Sequence, residues 1–313
     1  MTIARTMAGK VRRRPSGLTS RRQENRTAWA MASPALLLLV VFLIVPTLMG
    51  FGLAFTNARL VSPISPEFVG LDNFRRAFSE DPTFPKSVAN TLYFAGVVVP
   101  IHSALALVLA ILVNSRVPGR NVFRTIYFLP VVTSMVAISV LWRFMYQEDG
   151  LVNSMLSTFT GSALQGHAWL NDTGTAMPAI MVMSIWQAVG FHMVIWLAGL
   201  QTIPQELYEA ASIDGANAWQ RFLHVTWPGL QSTLVIVVVT ETIGALGVFA
   251  QINIMTDGGP RDSTSTIIFH AVRMASNQQN VGYGASLSLV FFLMVLALSL
   301  LQAAWVRIKD ARV

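Results

Sequence analysis

Apolar stretches of membrane-spanning length alternate with shorter polar ones from residue 27 to residue 307. A helix that crosses a bilayer needs about 20 mostly apolar residues, and six segments reach or approach that length. The first carries no charge over 27–58, with its core at 36–54. The second lies between Lys86 and Arg116, and the third between Arg124 and Arg143, the shortest of the six. The fourth lies between Asp172 and Glu206. The fifth covers 227–254 and contains one acid, Glu241, and the last lies between Arg273 and Arg307. In hydrocarbon every backbone N–H and C=O needs an internal partner, which makes such segments helices. A barrel would need alternating strands of about ten residues, and that pattern is absent. The fold class expected is an all-α integral membrane protein with six transmembrane helices.

Composition agrees. The 313 residues are 53% hydrophobic and 12% charged, against about 25% charged in soluble domains. There is no Cys, which excludes disulfides, thiol catalysis and thiolate metal sites. The net charge of +7 would suit nucleic acid, but eight of the twenty-two cations precede residue 27. Residues 1–28 therefore read as a basic tail beside anionic lipid, and 29–313 as the transmembrane domain. The apolar run after the tail is too long for the 7–15-residue core of a signal peptide, so it reads as an uncleaved first span. With the tail inside, the inner segments hold fifteen Lys and Arg and the outer ones seven. That bias puts both termini in the cytoplasm. The polar stretch 202–228 holds a single cation, Arg221, so its side follows from span parity.

That stretch differs from the other loops. Thr202 is placed as a helix N-cap with Gln205 closing a capping box, and Pro204 falls in the first turn, where its missing N–H costs little. The helix expected is 204–213, ended by Gly215 in a left-handed turn. Leu207, Ala210 and Ala211 share one face, and the small Ala side chains allow a partner to approach closely. Glu209 and Asp214 offer acceptors to backbone N–H groups or to Arg. A second short helix, 218–226, would return the chain to the membrane with Trp219 and Phe222 as interfacial anchors. Pro228 would break it from the fifth span. On helix physics alone, an ordinary amphipathic loop is an equally good reading.

Glu209, Ala210, Ala211, Gly215 and Pro228 have the spacing of the EAA loop of ABC-importer permeases, which this stretch resembles. Val225 and Trp227 stand where Ile and Leu are usual. The resemblance extends over roughly 33–306, most strongly over 86–306. Asn90-Thr91, the run from Phe123 to Pro130, Trp142-Arg143-Phe144, Gly150-Leu151-Val152-Asn153 and Gly282-Tyr283-Gly284-Ala285 look like the corresponding segments of sugar-importer permeases. So does Thr256-Asp257-Gly258-Gly259-Pro260 with Ser263-Thr264, Asp257 replacing a usual Gly. Together these segments resemble the first permease subunit of the maltose-like carbohydrate importers. It implies the type I importer permease fold, with 202–228 as the cytoplasmic coupling loop, in the bacterial inner membrane. It also implies a second permease subunit, two cytoplasmic ATPase subunits and an external solute-binding protein, a lipoprotein being one form. The phosphate-binding Gly-x-x-x-x-Gly-Lys-Ser/Thr pattern is missing, since Gly9-Lys10 is followed by Val. ATP and Mg are thus expected on the ATPase, with no cofactor on this chain.

Candidate path residues are few. Glu241 is the one acid well inside a span, where a charge costs about 2.5–3.5 kcal/mol. It either lines a watery path or bonds a neighbouring helix. Gln251 and Asn253 suit sugar hydroxyls, because an amide offers donors and an acceptor together. Trp186 is able to stack on a sugar face, with Gln187 beside it. His192 reads as satisfied by a helix neighbour, His102 has no visible partner, and no His/Asp/Glu group has metal-ligand spacing. No catalytic set can be picked out. The expected function is a permease subunit forming half of the path for a sugar-like solute. The alternatives are a permease for glycerol phosphate, glycerophosphodiesters or polyols, a non-transport scaffold, or an intramembrane enzyme.

Overall fold

The structure, a computed structural model, describes residues 18–62, 64–114, 119–160 and 166–310. Most of the basic tail, Arg116 and Arg312 lie outside them. The chain divides into two compact units, residues 1–52 and 53–313, each described by itself.

Among its described residues the first unit is one continuous helix. α1 (Leu18–Leu39) passes through a π-helical turn, Val40–Ile44, into α2 (Val45–Leu53). Position 28 thus lies within a helix. Pro34 leaves the Ala30 carbonyl without its helical N–H, and the Ser33 hydroxyl donates to that carbonyl at 2.9 Å instead. Such local rescue is what lipid demands of a proline-bearing span. The apolar side chains of 36–45 are exposed on all sides, as befits a helix whose solvent is lipid.

In the second unit, α3 (Asp72–Ser79) precedes the long α4 (Thr83–Asn114). α5 (Arg120–Val132), α6 (Met135–Met145) and α7 (Leu151–Thr160) follow, then α8 (Ala176–Thr202). The polar stretch forms α9 (Gln205–Ile213), α10 (Ala218–Arg221), a π turn Phe222–Thr226, and α11 (Trp227–Gly229). α12 (Gln231–Leu246), α13 (Ala250–Met255), α14 (Ile267–Val272), a π turn Arg273–Asn277 and α15 (Val281–Asp310) complete it. Among the described residues, five helices are long and apolar enough to cross a membrane, and the count is six if α5 and α6 make one crossing.

The third span therefore differs from the straight helix expected. α5 and α6 meet at 98°, and neither half alone is long enough to span. The Thr133 hydroxyl donates to the Leu129 carbonyl at 3.0 Å and closes α5, Thr133 and Ser134 are extended, and the Ser134 carbonyl accepts from Ile138 N to open α6. The loop between the first two spans also holds more helix than its prolines suggest. It contains α3, and Pro85 sits in the first turn of α4, where a missing N–H is harmless.

Small residues set the packing. α4 buries Ala95, Ser103, Ala106 and Ala110, and α8 buries Ala179, Ser184, Gly190 and Gly199. Small faces let helices approach closely where lipid supplies no hydrophobic drive. One apolar cluster joins Phe94 and Val98 to Ile180, Met183, Ala245 and Leu246. A second joins Ala106 and Ala110 to Val189, Met193, Trp196 and Val237.

At the end of α4 opposite the α9 hairpin, polar bonds clamp the loops. Asn90 Nδ2 donates to the carbonyls of Asp262 and Ser265, and Ile267 N donates to Thr91 Oγ1. The resemblance residues of this region thus hold the chain between α13 and α14. Asp81 accepts from Tyr283 OH at 2.6 Å and meets His270 Nε2 at 2.7 Å. Burial pushes its carboxyl up, but these bonds and the Thr83 N–H outweigh burial and hold it below the usual carboxylate range. The contribution is complete above the unfolded carboxyl's pKa and fades as pH falls through the lower folded value. Asp81→Asn is expected to cost about 1.5–3 kcal/mol, the worth of hydrogen bonds to a charged group. Thermal unfolding of the purified protein across pH 3–7 checks this: the wild type should lose stability on acidification and the variant should lose less.

Candidate functional site

The α9 hairpin carries no fully buried side chain on its first limb: every residue of α9 is at least partly exposed. Its start differs from the expected capping box. Ile203 precedes a proline, which drives it to extended backbone, so α8 ends at Thr202, whose hydroxyl turns back to the Gly199 carbonyl at 2.8 Å. Pro204 then serves as N-cap without a side-chain bond. The capping box of the hairpin lies on the second limb instead, where Gln220 N donates to Asn217 Oδ1 and Asn217 N to Gln220 Oε1.

The exit of α9 follows the expected chemistry. Gly215 has φ +77°. Ala216 N donates to the Ala211 carbonyl at 2.9 Å and Gly215 N to that of Ser212 at 3.2 Å, the paired bonds of a Schellman motif. Arg221 donates to Ser212 Oγ at 3.1 Å, and Tyr208 OH pairs with Thr226 Oγ1 at 3.0 Å. The two limbs are thereby fixed to each other. Glu209, Ala210 and Asp214 remain exposed, Ala211 is half-buried, and Ile213 is 87% exposed. Trp219 and Phe222 stack with centroids 5.5 Å apart. A cleft of 500 Å³ between the hairpin and the ends of α4 and α8 is lined by Asn114, Tyr208, Arg221, Phe222 and Thr226 among others. The break before the fifth span falls at Leu230 rather than Pro228, which stays within α11.

Of the candidate path residues, Gln251 and Asn253 share the short helix α13. Asn253 lies in a polar cleft of 280 Å³ with Arg143, Asn171, Thr256 and Asp257, and Arg143 donates to the Ile254 carbonyl at 3.2 Å. Gln251 is half-buried on the same short helix. Trp186 is exposed, 5.5 Å from Trp142, and Gln187 Nε2 reaches the Pro130 carbonyl at 3.4 Å.

Glu241 stands apart from these. It is 4% exposed, inside the packing of α4, α8 and α12, and not on an open surface. His102 Nδ1 and His192 Nδ1 lie 3.6 and 3.7 Å from the same oxygen, Oε1. Sequence spacing showed no metal-ligand set, yet one ligand atom from each of these three residues lies within 4.8 Å of the others. A depth count would have found them. Each sits ten to twelve residues from the hairpin-side end of its helix, about 15–18 Å at 1.5 Å per residue.

A broken third span, an exposed polar hairpin between two long apolar helices and a loop clamp at the opposite end define a helical permease subunit of a membrane importer. The family described as "Binding-protein-dependent transport system inner membrane component" matches residues 102–313, and the chain belongs to it. It is a transport subunit of a binding-protein-dependent importer, not an enzyme. It is 35% identical over 278 residues to the lactose transport system permease protein of Rhizobium radiobacter, covering 88% of this chain and 92% of that one. It is 34% identical over 279 residues to the trehalose/maltose transport system permease protein of Thermococcus litoralis, covering 89% and 92%. Its fold matches a bacterial ABC transporter involved in the import of the acidic polysaccharide alginate, with TM-score 0.79 at 24% identity, over 93% of this chain and 98% of that chain.

Proposed function

We propose that this chain forms half of the translocation path of an ATP-driven importer for an oligosaccharide or sugar-like solute. The observation that carries the reading is the α9 hairpin: a rigid polar element, bonded within itself and bare on its outer side. It is a ready docking surface for a cytoplasmic ATPase subunit, two of which would serve this chain and a second permease. Both termini would then face the cytoplasm, in accord with the charge bias. Glu209, Ala210, Ala211, Asp214 and Gly215 form the docking limb, and Pro228 lies in the return limb. ATP and Mg belong to the ATPase. An external binding protein would deliver the solute to the opposite face, where the cleft of Asn253, Asn171 and Arg143 offers donors and acceptors to hydroxyl groups. Relatives named for lactose and for trehalose/maltose transport support the sugar class. The absence of Lys or Arg from the interiors of the described spans disfavours a phosphate-bearing cargo.

Transport assays on proteoliposomes that hold the full complex test this. Neutral oligosaccharides presented with the binding protein should stimulate ATP hydrolysis and accumulate inside, and glycerophosphodiesters should do neither. Stimulation by the phosphodiesters alone would reject the sugar assignment.

A further inference from the structure

We propose that His102, His192 and Glu241 form a binding site for one divalent transition-metal ion of the zinc class, tying α4, α8 and α12 together inside the membrane. This stands independently of the cargo.

Five buried polar atoms in this one place have no hydrogen-bond partner: His102 Nε2, both ring nitrogens of His192 and both oxygens of Glu241. Native interiors leave such atoms unpaired rarely, and a group of them calls for an unseen partner. The need is sharper here, because apolar clusters lie on both sides: Val98, Met183 and Ala245 on one, Ala106, Met193 and Val237 on the other. No Lys or Arg occurs on α8 or α12, and the only one on α4 is Lys86, far along the helix. A bare carboxylate there has no fixed cation to balance it.

Geometry separates a metal from a shared proton. A proton bridging imidazolium and carboxylate draws one pair to about 2.7–2.9 Å. Here both histidines approach the same oxygen nearly equally, at 3.6 and 3.7 Å. Neither contact is a hydrogen bond. Zinc bonds of about 2.0–2.2 Å to nitrogen and oxygen put tetrahedral ligand atoms roughly 3.3–3.5 Å apart, close to the two histidine–carboxylate distances, with all three ligand atoms within 4.8 Å of one another. The rings lie edge to face with centroids 4.8 Å apart, and each turns its Nδ1 to Glu241 Oε1. Two imidazoles and a carboxylate suit Zn²⁺ or Co²⁺ rather than Mg²⁺ or Ca²⁺, which prefer oxygen. The second carboxylate oxygen or a water would complete four ligands.

The test uses the assembled transporter, purified in detergent and loaded with Zn²⁺ or Co²⁺ followed by desalting. Elemental analysis should find about one ion per chain retained after desalting. The Co²⁺ form should show the visible absorption of a four-coordinate site. Glu241→Gln and His102→Gln should each lose the ion. His192→Cys should keep it and add a thiolate-to-cobalt charge-transfer band, a change that a merely structural role would not produce. Wild-type complex of normal size-exclusion profile that retains no Zn²⁺ or Co²⁺ overturns the proposal. So does equal retention by the wild type and Glu241→Gln.

Discussion

Glu209→Lys and Gly215→Asp are expected to abolish uptake while leaving the chain in the membrane. The two act differently. Glu209 is exposed and no partner within the chain holds it among the described residues, so its replacement costs the fold little, within about 0.5 kcal/mol. What it changes is the face offered to another protein, where reversing a charge alters recognition directly. Gly215 has φ +77° with open space around it. A side chain there meets no neighbour but forces a left-handed backbone, a cost of about 1–2 kcal/mol. The bonds from Gly215 and Ala216 that close α9 would then loosen, and the docking limb would lose its angle to α10. A loss of at least about tenfold in uptake, or 1.4 kcal/mol of coupling, should accompany near-normal membrane levels. Co-purification with the ATPase subunits should fall in parallel. Uptake at wild-type rates in both variants would remove the hairpin from the mechanism.

The spans were legible because lipid imposes a simple rule: about 20 apolar residues and internal hydrogen bonds. α4, α8 and α15 follow from that rule, and so does the left-handed exit at Gly215, which is a local property of the chain. What failed to show was whatever depends on a second element. The bend between α5 and α6 rests on the Thr133 hydroxyl and the extended backbone of Thr133 and Ser134, residues that look ordinary in sequence. The capping box at Asn217 and Gln220 was masked by the competing signal at Thr202, which Pro204 cancels by pushing Ile203 extended. The meeting of His102, His192 and Glu241 spans three helices and 140 positions of chain. No linear spacing encodes it, and only a comparison of depths along the predicted spans would have suggested it. Glu241 attracted notice as a lone buried acid, and the structure brings it beside His102 and His192 within the packing of α4, α8 and α12.

Gly190→Ala is expected to be a strongly disruptive single-methyl change in the transmembrane core. The backbone of α8 presses against that of α5 at this point. A Cβ on residue 190 would land on the Tyr127 carbonyl and lie 3.1 Å from the Phe128 Cα. Both are backbone atoms, so no side-chain rotation relieves the contact. α5 must move as a body, and it is already the half of a bent span that leads into the 98° break. Overpacking of this kind costs typically about 1–3 kcal/mol, against a gain in helix propensity of about 1 kcal/mol for Gly→Ala. The clash is set to win because the loss also reaches Gln187, whose amide meets the Pro130 carbonyl. Gly96 supplies the opposite case: it lies within α4 with nothing within 4 Å of its would-be Cβ. Gly96→Ala should therefore leave the unfolding temperature unchanged or raise it, while Gly190→Ala lowers it. Thermal unfolding of the detergent-solubilised complex separates the two. Equal melting of both variants would mean that α5 does not rest on α8 at Gly190 in the native membrane.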